Sequence, residues 1–243
     1  MRLPSLCLLF LVALGCAAKK ERARAHLDLG TAYVREGNGA MAVGELRESV
    51  RLRPSDWRAW HGLALAYVYQ SDLVQAEDAF NHGLKRAPDE AELLNSYGAF
   101  LVRQGRAAEG VEVFKKALLD LEYRNPTLVM SNLAYALYLN NQHDEARVYA
   151  REALRRQPSL CEAQFHLGLI EEARNDLGAA MDAYSRLVKA CPEESLGARL
   201  RIGCLEVRRG NADLARPLLE EVSREAPATA FADEARSCLA SAG

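Results

Sequence analysis

Residues 57–90 read WRAWHGLALAYVYQSDLVQAEDAFNHGLKRAPDE, and residues 91–124 repeat the same chemistry in the same order. Ala64 answers Gly98, Ala76 answers Gly110 and Phe80 answers Phe114, each pair 34 residues apart. Carried outward, the frame yields six units starting at residues 23, 57, 91, 127, 161 and 196. Position 8 is small throughout: Gly30, Ala64, Gly98, Ala134, Gly168 and Gly203. So is position 20: Ala42, Ala76, Gly110, Ala146, Ala180 and Ala215. Position 24 is Leu46, Phe80, Phe114, Ala150, Tyr184 and Leu219, and position 32 is proline in every unit except the third, where it is Glu122. A fixed period of this length is the mark of stacked helix–turn–helix units.

Two antiparallel helices approach closely only where positions 8 and 20 lack bulk, and position 24 fills the space beside them. Position 15 reads Gly37, Ser71, Gly105, Asn141, Asn175 and Gly210. Gly and Asn accept the left-handed backbone that ends a helix, so each first helix should stop there. The pattern resembles the tetratricopeptide repeat over residues 23–229. It implies an all-α superhelix (α-solenoid) of six repeats: 23–56, 57–90, 91–124, 127–160, 161–194 and 196–229. Residues 230–239 read as one more first helix, capping repeat six within a C-terminal segment 230–243.

The chain has 31 Lys and Arg against 33 Asp and Glu, so its net charge is −2 and nothing marks it as a nucleic-acid binder. Met1-Arg2, the apolar stretch 6–14 and the small residues before Cys16 have the layout of an export signal. The apolar stretch is too short for a spanning helix, which needs about 20 residues. The sequence Ala13-Leu14-Gly15-Cys16 resembles the lipobox of bacterial lipoproteins, although Ala13 stands where Leu is commoner. That resemblance implies cleavage between Gly15 and Cys16, removal of residues 1–15, and acylation of Cys16. Residues 16–22 then form a lipidated tether reaching at most about 25 Å if extended. In Ala17-Ala18-Lys19-Lys20 no Asp follows Cys16 at the sorting position, which implies an outer-membrane lipoprotein facing the periplasm. An ordinary cleaved signal with an incidental Cys16 is the alternative.

Four cysteines remain in an oxidising compartment. Cys161 and Cys191 occupy positions 1 and 31 of repeat five, where the start of the first helix lies beside the end of the second. Cys204 and Cys238 share position 9 of repeat six and of the cap. The frame therefore predicts bridges 161–191 and 204–238, with four buried thiols as the alternative. At position 11, normally apolar, repeats five and six carry Glu171 and Glu206. Either those helices are rotated, or the glutamates reach an arginine such as Arg174 or Arg208. Rotation is the expectation, because an unpaired buried carboxylate is costly.

No catalytic constellation emerges. His26, His61, His82, His143 and His166 fall at five different repeat positions and make no metal-ligand spacing. Gly37-Asn38-Gly39 with Gly44 lacks the strand and the Lys-Ser/Thr of a phosphate loop and reads as an inter-helix turn. Arg147, Arg151, Arg155 and Arg156 follow helical spacing and read as a solvated face. The expectation is a protein that is not an enzyme, with no metal, cofactor or small-molecule substrate.

What remains is a surface for another protein. In the tetratricopeptide family, positions 2, 5, 9, 12 and 13 line the concave side. Here they place Leu27, Val34, Leu65, Val68, Tyr69, Val102, Leu128, Tyr135, Tyr138, Leu139, Phe165, Leu169, Leu200 and Val207 in a partner groove. Apolar surface with tyrosines is typical of interaction sites. Within repeat three, Asn95-Ser96-Tyr97-Gly98-Ala99-Phe100-Leu101, the lengthened junction at Asn125-Pro126 and then Asn132-Leu133-Ala134 resemble one lipoprotein family. It is the pilotin family of type IV pili (PilF/PilW-like, including Tgl). The resemblance implies binding of the pilus secretin and help with its outer-membrane insertion and multimer assembly, hence pilus biogenesis and twitching-type motility. The rival reading is another envelope scaffold, either a β-barrel assembly subunit or an adaptor for cell-wall hydrolases.

Overall fold

In the computed structural model, backbone is described for residues 4–241 and side chains for residues 17–241. The expected cleavage site at Gly15 and Cys16, and its lipid attachment, lie outside the residues whose side chains are described. Thirteen α-helices and one 3-10 turn make up the described residues, with no strand among them. They are α1 (Pro4–Arg35), α2 (Gly39–Leu52), α3 (Trp57–Tyr69), α4 (Leu73–Leu84), α5 (Ala91–Arg103), α6 (Ala107–Ala117) and α7 (Pro126–Leu139). There follow α8 (His143–Arg156), α9 (Cys161–Ala173), α10 (Leu177–Ala190), α11 (Leu196–Arg208), α12 (Ala212–Glu225) and α13 (Ala230–Ala240). Among the described residues no helix is long and apolar enough to cross a membrane. Residues 17–22 are helical and run straight into repeat one, a length well within the expected upper reach of the tether.

Local chemistry sets each hairpin. The position-15 residues Gly37, Ser71, Gly105, Asn141, Asn175 and Gly210 all have positive φ, between 58° and 81°. Each breaks the first helix and lets the second begin two residues later. Asn38, Asp72 and Asp176 then cap the second helices by accepting from the backbone N–H of Met41, Gln75 and Ala179. The position-8 rule also has a measurable basis: a Cβ on Gly98 would lie 2.7 Å from the Phe114 ring, and one on Gly203 2.6 Å from Leu219.

The chain divides into two compact units, Met1–Tyr97 and Gly98–Gly243, with the boundary inside α5. In the first unit Leu46 and Phe80 are fully buried at position 24 of repeats one and two. Phe80 meets the rings of Tyr97 at 5.4 Å and His61 at 6.4 Å. Trp60 stacks on His82 at 4.3 Å and donates from Nε1 to the Pro54 carbonyl at 2.9 Å.

Two apolar clusters lie among the described residues of α10 to α13 in the second unit. One joins Tyr184, Leu187, Ala198 and Leu205; the other joins Leu200, Leu219, Val222 and Ala235. Both predicted disulfides are present: Cys161–Cys191 with Cα atoms 6.4 Å apart, and Cys204–Cys238 with Cα atoms 5.4 Å apart. The second ties the cap α13 to α11.

The expected helix rotation is overturned. Position 11 points inward in repeats five and six as it does elsewhere, leaving Glu171 only 1% exposed and Glu206 8% exposed. Ile170 and Leu205, at position 10, are buried as well. The burial cost is met by charge. Arg147 Nε donates to Glu171 Oε1 at 2.7 Å, Arg151 Nη2 reaches the same oxygen at 3.1 Å, and Arg174 Nε lies 3.5 Å from Oε2. Glu206 accepts from Asn211 Nδ2 at 2.6 Å, with Arg209 at 3.8 Å. Arg147 and Arg151 are therefore not merely a solvated face. Arg155 and Arg156 grip the half-buried Glu152 at 2.7 and 2.6 Å and hold its carboxyl down to about 2.

Candidate partner-binding groove

In the first unit, the expected groove residues come from the exposed sides of α1 and α3. Leu27, Thr31, Leu65 and Trp57 border a cavity of about 410 Å³, with Asp28, Arg35, Arg58 and Glu92 among the other lining residues. Val34 is 8% exposed, so it forms buried wall rather than free groove surface. Val68 is half-buried, and Tyr69 projects with 58% exposure.

In the second unit, α7 supplies Leu128, Tyr135, Tyr138 and Leu139, and α9 supplies Phe165 and Leu169. All are half-buried except Leu139, which is 42% exposed. The rings are organised. Tyr135 stacks on His166 at 4.6 Å and on Tyr138 at 6.1 Å, and Tyr138 meets His143 at 5.7 Å. Phe165 packs against the buried Tyr184 at 5.7 Å. Val102 and Val207 are half-buried. Leu200, at 1% exposure, is corrected from groove to core, because it packs inward against Leu219 and Val222.

Each unit also contains a part-buried histidine–serine pair that the sequence reading missed. His61 Nε2 lies 2.8 Å from Ser96 Oγ, and His166 Nδ1 lies 3.0 Å from Ser131 Oγ and 3.1 Å from the Ser131 carbonyl. A carbonyl only accepts, so His166 carries its proton on Nδ1. Both pairs span 35 residues, joining position 5 of one repeat to position 6 of the next. Comparing those two positions across neighbouring repeats, rather than each position down its own column, exposes the signal. Burial pushes both imidazoles down to about 4, partly opposed for His166 by its backbone bond, so near neutral pH both are uncharged.

A second missed feature lies at position 12 of repeat five. Glu172, with its side chain 9% exposed, accepts from Arg201 Nε at 2.9 Å and Nη2 at 2.7 Å and from the Tyr184 hydroxyl at 2.7 Å. Burial, then the neighbouring Glu172 carboxylate, pushes the Tyr184 phenol far up, so it stays a donor. Arg201 also reaches Glu234 on α13 at 3.2 Å. Repeat five, repeat six and the cap are thereby linked at one side-chain cluster. No group of three or more His, Cys, Asp or Glu able to hold a metal ion occurs among the described residues.

Repeated hairpins with a small position 8, a left-handed position 15 and apolar surface on their first helices define a helical-repeat binding scaffold. The tetratricopeptide repeat family profile matches residues 27–81, 61–126 and 131–195, well over half of the chain, and the chain belongs to that family. Among solved structures it is similar to PilW, described as a widely conserved type IV pilus biogenesis factor. Identity is 25%, the TM-score 0.81, and the likeness covers 89% of this chain and 98% of that one. It shares the fold of Pseudomonas aeruginosa PilF, with a TM-score of 0.77 at 21% identity over 90% of this chain and 99% of that one. By sequence it is 28% identical over 145 residues to the type IV pilus assembly protein PilF of Pseudomonas aeruginosa, a stretch covering 58% of each. A TPR repeat-containing protein of the same organism is 31% identical over 96 residues. The chain thus spans 58% and 39% of the lengths of these two curated relatives.

Proposed function

We propose that this protein acts in type IV pilus biogenesis as a pilotin: an outer-membrane lipoprotein that binds the pilus secretin and promotes its insertion and multimer assembly. The observation that carries this reading is the likeness to PilW, with a TM-score of 0.81 over 89% of the chain. The lipobox-like Ala13-Leu14-Gly15-Cys16 supports the anchor. Acylation at Cys16 holds the scaffold at the periplasmic face of the outer membrane, where tethering raises the local concentration of a weak binding surface. The tyrosine-lined surface of α7 and α9 then covers apolar secretin segments until the subunits pair with one another.

The test is deletion of the gene followed by immunoblotting of membranes for heat-resistant secretin multimers. Multimers are expected to fall and monomer to accumulate, and complementation with Tyr135→Ala/Tyr138→Ala is expected to restore them poorly. Normal multimer abundance in the deletion strain overturns the reading. Co-purification of β-barrel assembly subunits or cell-wall hydrolases instead of secretin would assign the scaffold to one of those systems. Cys16→Ala is expected to release the protein from the outer membrane and to lower multimer yield.

A further inference from the structure

Near the C-terminal end of the second unit, Phe165 of α9, Leu187 of α10, Gly197 of α11 and Phe231 of α13 surround a cavity of about 260 Å³. That is room for one large side chain rather than a lipid tail. Gly197 makes the space: a Cβ there would already stand 3.3 Å from the Phe165 ring and 3.7 Å from the Phe231 ring. Phe231 sits in the first turn of the last helix with 42% of its surface open, although burial of such a ring is favourable by about 2 kcal/mol or more. The rim has one sign of charge. Glu162 in the first turn of α9 and Glu194 in the 3-10 turn before α11 are both exposed, and no ion pair engages either among the described residues. No lysine or arginine lines the cavity, and His166, the other ionisable side chain there, is the half-buried imidazole paired with Ser131.

We infer that this cleft seats one large apolar side chain, such as Phe or Leu, of a partner protein segment that carries lysine or arginine beside it. The argument for this occupant is complementarity: an aromatic slot takes the apolar anchor, and two carboxylates without cations of their own take the flanking positive charge. An acidic segment or an anionic lipid headgroup meets repulsion at the same rim. The inference deepens the groove reading above, since Phe165 belongs to that groove, and it rests on that reading for its biological partner.

The test uses the full mature chain in detergent and fluorescein-labelled short peptides: Phe between lysines, Phe between glutamates, and Ser between lysines. Fluorescence anisotropy is expected to show binding of the first and at least about tenfold weaker binding of the other two, with affinity for the first falling as salt rises. Gly197→Leu fills the cleft and is expected to abolish binding. If that variant melts abnormally, Phe231→Ser, at a partly open position, serves in its place. Glu162→Lys/Glu194→Lys is expected to reverse the preference toward the glutamate peptide. Equal affinity for the lysine and glutamate peptides, or unchanged affinity in a folded Gly197→Leu or Phe231→Ser variant, overturns the inference. Secretin multimers separate the two readings. Multimers that depend on Tyr135 and Tyr138 with no peptide binding at the cleft overturn the cleft alone. Lysine-peptide binding abolished by Gly197→Leu supports the cleft even where deletion of the gene leaves multimers normal.

Discussion

Residues 17–97 and residues 98–241 build the same helical hairpin, yet different forces hold the successive hairpins together. In the first unit position 11 is aromatic, Tyr33 and Tyr67, Phe80 meets the rings of Tyr97 and His61, and Trp60 stacks on His82. In the second unit position 24 of repeat four shrinks to Ala150, and position 11 of repeats five and six becomes a carboxylate. Less apolar area is then available between neighbours. Ion pairs at Glu171 and Glu172 and the Cys204–Cys238 disulfide join neighbouring hairpins there, while Cys161–Cys191 closes repeat five on itself. A repeat array is stable through its neighbour interfaces, and the comparison teaches that each interface can be served by different chemistry while the backbone frame stays constant.

The contrast can be broken first at the aromatic unit. Phe80→Ala should cost about 4 kcal/mol, with lost hydrogen-exchange protection concentrated in α3 and α4 rather than in α9 to α13. Equal loss in both units would show that they do not differ in this way. Next, reduction of the disulfides should act on the other unit. Each closes a loop of 30 or 34 residues and contributes about 3.7 kcal/mol in the entropic account. Cys204→Ser/Cys238→Ser should expose α13 to protease while α1 to α4 keep their protection.

Acid should strike both units alike. His61 and His166 have folded values of about 4 against 6.5 for the free side chain, so the unfolded chain binds more protons between those values. Their stabilisation is full above about 6.5, falls as pH drops toward about 4, and amounts to about 3 kcal/mol for each histidine. Chemical denaturation at a series of pH values checks this; His61→Asn should flatten the profile in the first unit only. The smallest effect is expected at the buried carboxylate. Arg147→Ala/Arg151→Ala leaves Glu171 with Arg174 alone and should cost about 2 kcal/mol, whereas Glu171→Leu should be close to neutral. A large loss from Glu171→Leu would mean that the ion pair, rather than the volume at position 11, holds repeats four and five together.

The repeat frame, its turns and the cysteine pairing could be read from the sequence because each rests on short-range demands. A left-handed backbone favours Gly or Asn, close helix approach needs a small residue, and a hairpin brings its own start and end together. The groove was legible as a set of helix positions but not as a surface, since position alone did not separate Leu200 from Leu169. One packs into the core under α12 and α13 and the other stays half-buried.

The all-helical repeat, the six left-handed turns and the expected pairing of the four cysteines were thus legible in the order of residues alone. Only the tertiary structure decided that Glu171 stays inward among three arginines, that His61 meets Ser96 and His166 meets Ser131, and that Phe231 closes a cleft over Gly197. Backbone periodicity follows from neighbours a few residues away. The partner of a long polar side chain or an exposed ring is chosen by whatever the folded chain brings within reach, and desolvation cost decides among the candidates.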